Sequence, residues 1–186
     1  MMIIKIRFKK IHHIYLLLLF HNIYKMKKKL TLKNIGIFLA ILFLAIQSIR
    51  IDKTIEPVNP ATDFIALTSA NAEVANTLKI ACYDCHSNQP TFPWYTNIAP
   101  VSWWIKHHID EGSQHLNFSE WGTYKDKRKH HKLEECIEMV EEGEMPMSSY
   151  TLMHSNAELT DAQKVQLVEF FKALKNAMPQ PEEEKN

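Results

Sequence analysis

Two thiols three residues apart, with an imidazole directly after the second, are the densest chemistry in this 186-residue chain: Cys82-Tyr83-Asp84-Cys85-His86. The pattern C-x-x-C-H is the attachment sequence for c-type haem. Each thiol adds its S–H across one vinyl group of the porphyrin, so two thioethers form and nothing leaves. The two-residue spacer, on one turn of helix, sets the separation of the sulfurs. The histidine that follows then reaches the iron as proximal ligand. Other chemistries use the same residue types. A disulfide across this spacer would be a tight redox pair and would leave His86 without a role. A Cys3His zinc site would take Cys82, Cys85, His86 and the third cysteine, Cys136. Adjacent Cys85 and His86 are awkward joint ligands, however, and no second C-x-x-C or H-x3–5-H pair follows. A thioredoxin-like pair needs a βαβ context that the chain does not show. The expected cofactor is therefore one haem c, held covalently by Cys82 and Cys85 with His86 as proximal axial ligand.

Iron held between histidine and methionine has a raised potential, the usual arrangement for electron transfer. Met145 is the first choice as distal axial ligand, because Met145-Pro146 follows a helix stop and proline stiffens the loop. Met147 is the alternative, while Met139 and Met153 read as core and loop residues, since methionines at helical spacing fill gaps. The rival ligands are His107, His108, His115, His130, His131 and His154, and the paired ones read as polar helix faces. Pro90 or Pro93 is placed to offer a backbone carbonyl to the other nitrogen of His86 and so fix its tautomer. Trp94, Trp103, Trp104 and Trp121 either wall the haem or pack the core. Cys136 reads as a small buried residue. The glutamates Glu134, Glu135, Glu138, Glu141, Glu142 and Glu144 read as a solvated face able to steer a basic redox partner.

Short helices and long loops must position these groups. Val74, Leu78, Ala81, Cys82 and Cys85 recur at spacings of three and four and share one helix face. Gln89 to Pro100, with three prolines, is a rigid loop. A second helix is expected from Val101 to Glu111, with its stop at Gly112. Asn117 to Arg128 is turn-rich. A third helix fits His130 to Glu142, with Leu133, Cys136, Ile137 and Val140 on one stripe and Gly143 as the stop. The last helix starts at a capping box, Thr160 with Gln163, and carries Val165, Val168, Phe171 and Leu174 inward. No repeats and no useful alternating strand pattern occur.

The net charge of +1 hides a split: residues 1–54 hold 11 Lys/Arg against one acid, and residues 55–186 hold 11 against 20. An acidic body of this kind does not look like a nucleic-acid binder. The basic head contains an apolar run from Ile35 to Ile46, preceded by Lys25, Lys27, Lys28, Lys29 and Lys33. This is the layout of a signal sequence, and the lysine excess puts the N-terminus inside and the body outside. No clean small-x-small cleavage site follows, which favours an uncleaved anchor through residues 30–50. Met26 followed by three lysines looks like a natural start, so residues 1–25 read as an upstream extension. The expected organisation is signal anchor or signal peptide over 26–50, tether over 51–70, haem domain over 71–178 and a disordered acidic tail over 179–186.

From Ala81 to Leu174 the chain resembles the bacterial haem-binding domain family, small cytochrome c-like proteins that often carry an N-terminal anchor. The matching residues are Cys82-Tyr83-Asp84-Cys85-His86-Ser87-Asn88, Pro93-Trp94-Tyr95 and Asn97-Ile98-Ala99-Pro100-Val101-Ser102-Trp103. They continue with Glu111-Gly112, His115-Leu116-Asn117-Phe118-Ser119-Glu120-Trp121, Gly143-Glu144-Met145-Pro146, His154 and Leu159-Thr160-Asp161-Ala162. The family often places proline or a small residue after Met-Pro, where this chain has Met147. The resemblance implies a covalent haem c, a cytochrome c-like helical fold and an extracytoplasmic position, but no assigned biochemical role.

The expected fold is all-α, a cytochrome c-like domain of about four helices wrapped on one haem behind an N-terminal signal-anchor helix. The expected function is that of a membrane-anchored periplasmic monohaem cytochrome. It would pass single electrons to an unknown redox partner protein and would not be an enzyme. The alternatives are a peroxidase-like haem enzyme subunit and a haem-based sensor with a displaceable distal ligand.

Overall fold

The computed structural model describes residues 31–179, and within them the chain is helical with no strand. The upstream extension, the lysines at 25–29 and residues 180–186 of the acidic tail lie outside the described residues. The chain divides into two units, residues 1–49 and residues 50–186.

In the first unit, α1 (Leu32–Ile46) is capped by the Thr31 hydroxyl, which accepts from the Asn34 amide at 3.3 Å. None of its side chains is buried. At 1.5 Å per residue it spans about 22 Å, short of the ~30 Å hydrocarbon core of a bilayer. Among the described residues no helix is long and apolar enough to cross a membrane.

The second unit is built from α2 (Phe64–Thr68), α3 (Ala72–Ala81), α4 (Tyr83–His86), α5 (Val101–His115), α6 (Asp126–Glu141), α7 (Ser148–Thr151) and α8 (Asp161–Ala177), with three short 3-10 turns between them. Local chemistry starts these helices. Asp63 and Asn71 accept the first free amides of α2 and α3, and Thr160 and Gln163 close the expected capping box on α8. Gly143, at φ 75°, ends α6 as expected. The α6–α8 pair is antiparallel: Glu134 meets Lys175 at 2.9 Å and Glu141 meets Lys172 at 2.6 Å. Leu133, Val140, Leu167, Val168 and Phe171 are buried on these two helices.

At the centre of the core is Phe64, fully buried, with Phe118 at 4.8 Å and Trp121 edge-on at 4.9 Å between ring centroids. Phe64 lies in the stretch expected to be a tether. That stretch is instead stitched down along its length. Lys53 donates to Thr96 and Asn97 at 2.8 Å, Glu56 accepts from Asn88 at 2.8 Å, and the Gly122 amide donates to the Thr62 carbonyl at 2.8 Å. The prolines at 57 and 60 break regular structure, but an apolar residue as large as phenylalanine gains about 1.5–3 kcal/mol by burial, and nothing local reveals that it is buried.

Two other differences matter for the site. Helix α5 continues past Gly112 to His115, because Gly112 packs against the thiol-bearing turn rather than ending the helix. On α8, Val168, Phe171 and Leu174 face the core as expected, but Val165 is exposed and Leu167 is buried instead.

Candidate functional site

Helix α3 runs directly into the C-x-x-C-H turn. The Cys82 carbonyl accepts from the amides of Cys85 at 3.2 Å and His86 at 2.9 Å, which winds the motif into α4. Ser87 closes the turn by donating to the Tyr83 carbonyl at 2.7 Å and accepting from the Gln89 amide at 2.9 Å. Tyr83, the first spacer residue, points into the core. Its hydroxyl donates to Asp63 at 3.1 Å, and its ring stacks on Phe118 at 5.4 Å with 8° between the planes. The motif is thus fixed from beneath by an aromatic floor, and Phe118 also meets the His86 ring edge-on at 6.3 Å.

The His86 imidazole is oriented by α5. Its Nδ1 lies 2.9 Å from the Gly112 carbonyl and 3.1 Å from the Leu116 carbonyl. Leu116 is the C-cap of α5, where carbonyls have no intrahelical partner, while the Gly112 carbonyl accepts the Leu116 amide at 2.9 Å as well as facing the ring. Close approach depends on Gly112. A Cβ there would stand 2.7 Å from the Cys85 carbonyl oxygen and 3.1 Å from the Cys85 Cβ. The expected donor of this carbonyl was Pro90 or Pro93, and that expectation is corrected. The Pro93 carbonyl accepts from the amide and hydroxyl of Thr96, and the carbonyls that reach His86 come from another helix.

Burial is the main influence on the His86 pKa and lowers it, with the two carbonyls acting in the opposite sense. The ring is therefore neutral near pH 7. With the proton on Nδ1, the lone pair is on Nε2, and Nε2 makes no hydrogen bond among the described residues. That is the tautomer a proximal iron ligand requires.

Cys82, Cys85 and Cys136 are all free and half-buried. Burial, followed by the neighbouring thiol, pushes Cys82 up to about 12, and burial followed by Asp84 pushes Cys85 up to about 11. Burial also raises Cys136. Redox-type C-x-x-C pairs show the opposite, a lowered thiol. Among the described residues no group of three or more His, Cys, Asp or Glu side chains is placed to hold a metal ion, so the Cys3His zinc set is not assembled. Two free thiols on one turn and a neutral imidazole with its acceptor nitrogen unengaged fit a covalently attached haem.

The chain leaves α6 at Gly143 and enters the segment that holds the two candidate methionines. The Met145 amide donates back to the Met139 carbonyl at 3.1 Å, and Met145 and Met147 are half-buried. Residues on either side of this segment reach the C-x-x-C-H turn. Cys136, before it, is near enough to Cys82 for the Cys82 thiol to add to burial in disfavouring its ionisation. Tyr150, after it, donates to Asp84 at 2.7 Å.

The rival histidines are mostly engaged elsewhere. His154 has one nitrogen 2.9 Å from the Tyr95 hydroxyl and the other 3.1 Å from the Tyr150 carbonyl. Buried His130 meets the Pro179 carbonyl at 2.9 Å, and His108 bonds back to Trp104. His107 and His131 pair with Glu111 and Glu135 one helical turn on. Of the tryptophans, Trp121 packs the core, Trp103 is half-buried, and Trp94 and Trp104 are exposed. In the glutamate face, Glu134 and Glu141 are tied to lysines of α8, while Glu138, Glu142 and Glu144 are exposed.

Gly112, Leu116, Asp84, Tyr95 and Tyr150 all contribute to the site, and none stands out by residue type or spacing. Gly112 and Leu116 do fall in the stretches that carry the family resemblance.

The sequence model of the haem-binding domain family matches residues 41–173, well over half of the chain. No curated protein and no solved structure matches it.

Proposed function

Since the chain belongs to the haem-binding domain family and is a haem-binding protein, we propose that it is a membrane-anchored periplasmic cytochrome. In this reading it carries one covalent haem c and passes single electrons. The observation that carries the proposal is the His86 clamp, in which α5 holds Nδ1 and leaves Nε2 for iron. Cys82 and Cys85 form the thioethers, and Met145 is the distal ligand. The bound haem supplies a one-electron iron couple. The chain's own residues hold the imidazole in one tautomer and orientation, exclude water beneath it with Tyr83 and Phe118, and restrict the movement that accompanies a change of charge. No substrate bond is made or broken. Support for the anchor is the wholly unburied apolar helix α1 behind a lysine-rich flank. The haem then faces the compartment where thioether attachment occurs. The redox partner is a protein whose basic surface meets the exposed glutamates near Met145.

The test is an absorption spectrum of protein matured in a periplasm, before and after acid–acetone extraction. Haem bands should stay with the polypeptide. The oxidised protein should show the weak red band of sulfur-ligated haem at about 695 nm, and Met145→Ala should abolish that band while keeping the haem. Haem that extracts freely would overturn covalent attachment. Covalent haem without the band, binding carbon monoxide readily, would turn the reading to a sensor or a peroxidase-like subunit.

A further inference from the structure

Four side chains outside the attachment motif's own ligands form a directed hydrogen-bond chain beside it. The Tyr95 hydroxyl lies 2.9 Å from His154 Nε2, and His154 Nδ1 lies 3.1 Å from the Tyr150 carbonyl. The Tyr150 hydroxyl donates to Asp84 Oδ2 at 2.7 Å, with the Ile80 carbonyl at 3.1 Å as a second acceptor. Asp84 Oδ1 accepts from the Thr91 amide at 2.9 Å. One arrangement of protons satisfies every member. Tyr95 donates to Nε2, His154 donates from Nδ1, Tyr150 donates to the carboxylate, and the backbone amide of Thr91 fills its other oxygen. The Tyr150 and His154 rings also stack, 4.2 Å apart and 22° from parallel.

This chain joins the turn and the loop after it to a piece about 60 residues further on. Asp84 lies between the two haem-attaching cysteines, and Thr91 and Tyr95 lie in the loop after the motif. Tyr150 and His154 follow directly on the segment carrying Met145. From Gly143 to Ser149 no side chain hydrogen bond holds that segment to the attachment turn among the described residues; Tyr150 is the first residue that does.

We propose that Asp84 and Tyr150 form a latch that positions the distal segment, so that the spacer of the attachment motif also sets how firmly the sixth ligand is held. The inference rests on Met145 as distal ligand. Asp84 and Tyr150 are positioning residues, acting on the iron through the segment that Tyr150 ties down. A hydrogen bond to a charged acceptor contributes more than a neutral one, so release of the latch should free the methionine to leave the iron.

The experiment uses the full chain, matured in a periplasm, with Tyr150→Phe and Asp84→Asn compared against the unaltered protein. Three quantities are read: covalent haem per polypeptide, the weak red band of the oxidised form, and carbon monoxide affinity of the reduced form. Tyr150→Phe keeps the stacked ring and removes only the donor. It should retain covalent haem, weaken or lose the red band, and raise carbon monoxide affinity by about tenfold or more. Asp84→Asn keeps one acceptor oxygen and should shift both quantities in the same direction by less. Red band and carbon monoxide affinity both unchanged in a fully haem-loaded Tyr150→Phe would overturn the latch. If Tyr150→Phe is not recovered with haem, Asp84→Asn decides on the same two readouts, and an unchanged pair again overturns it. An unaltered protein without the red band would instead overturn the methionine assignment on which the latch rests, so the two failures are distinguishable.

Discussion

In the proposed cytochrome, the attachment turn and the Met145 segment face the same haem but are built in opposite ways. The turn is supported on three sides at once: α3 leads into it, Tyr83 and Phe118 lie beneath it, and two carbonyls of α5 grip His86. Between Gly143 and Ser149 the opposite segment has its own backbone turn, and Tyr150 then makes its side-chain bond to Asp84. The difference teaches where rigidity is placed. Geometry at the proximal histidine is set redundantly by backbone groups that cannot be exchanged for others. Geometry at the distal position depends on a few side chains and so is open to adjustment. A carrier needs the first to keep its cofactor and can use the second to tune potential.

The largest expected effect breaks the proximal side outright. Replacing both thiols, Cys82→Ser with Cys85→Ser, should abolish haem that survives denaturing electrophoresis, whereas Met145→Ala should leave all of it. Equal retention in the two proteins would erase the contrast.

Next in size is the aromatic floor. Phe118→Ala removes a fully packed ring under both Tyr83 and His86 and should cost about 3–5 kcal/mol, read as a lower urea midpoint of the haem-loaded protein. A loss under about 1 kcal/mol would mean that the turn does not depend on its floor.

Gly112→Ala should come third. The added Cβ meets a backbone carbonyl at 2.7 Å, so α5 must move off the turn, at about 1–3 kcal/mol. The displacement should also show as a shift of the Soret band, since the carbonyls on His86 move with the helix. An alanine variant with unaltered stability and spectrum would show that the close approach is not needed.

The smallest effect is away from the site and serves as a control. Lys175 holds the exposed Glu134 carboxylate below its ordinary pKa, chiefly through their hydrogen bond. A carboxylate depressed on folding contributes stability above its unfolded pKa and loses it as the pH falls through the folded value. Glu134→Gln should therefore lower the melting temperature slightly at pH 7, and the gap should close as the pH drops below about 4. The spectrum should not change at either pH. A spectral change would link the α6–α8 face to the haem and undo the separation between the two regions.

Much of the architecture is legible in the order of the residues. The capping box at Thr160, the stop at Gly143 and the apolar face of Val74, Leu78 and Ala81 are local patterns, and the folded chain keeps them. Val101 to Glu111 is legible as a helix but its extension to His115 is not, because a glycine reads the same whether it ends a helix or admits a neighbour. Phe64 is hidden for a related reason. A single phenylalanine among prolines carries no periodicity, and its burial depends on Phe118 and Trp121, more than 50 residues away.

What the sequence determined alone is the chemistry on offer: the five residues of the attachment motif, and a methionine held just past a helix stop. These depend on neighbours in the chain, and short-range spacing specifies them. Only the tertiary structure decided which groups hold that chemistry in place. The carbonyls on His86 belong to Gly112 and Leu116 rather than to a nearby proline, and the partner of Asp84 is Tyr150, 66 residues on. Every residue carries a carbonyl, and six tyrosines are available. The side-chain types alone therefore single out none of them, and the choice is made where the helices cross.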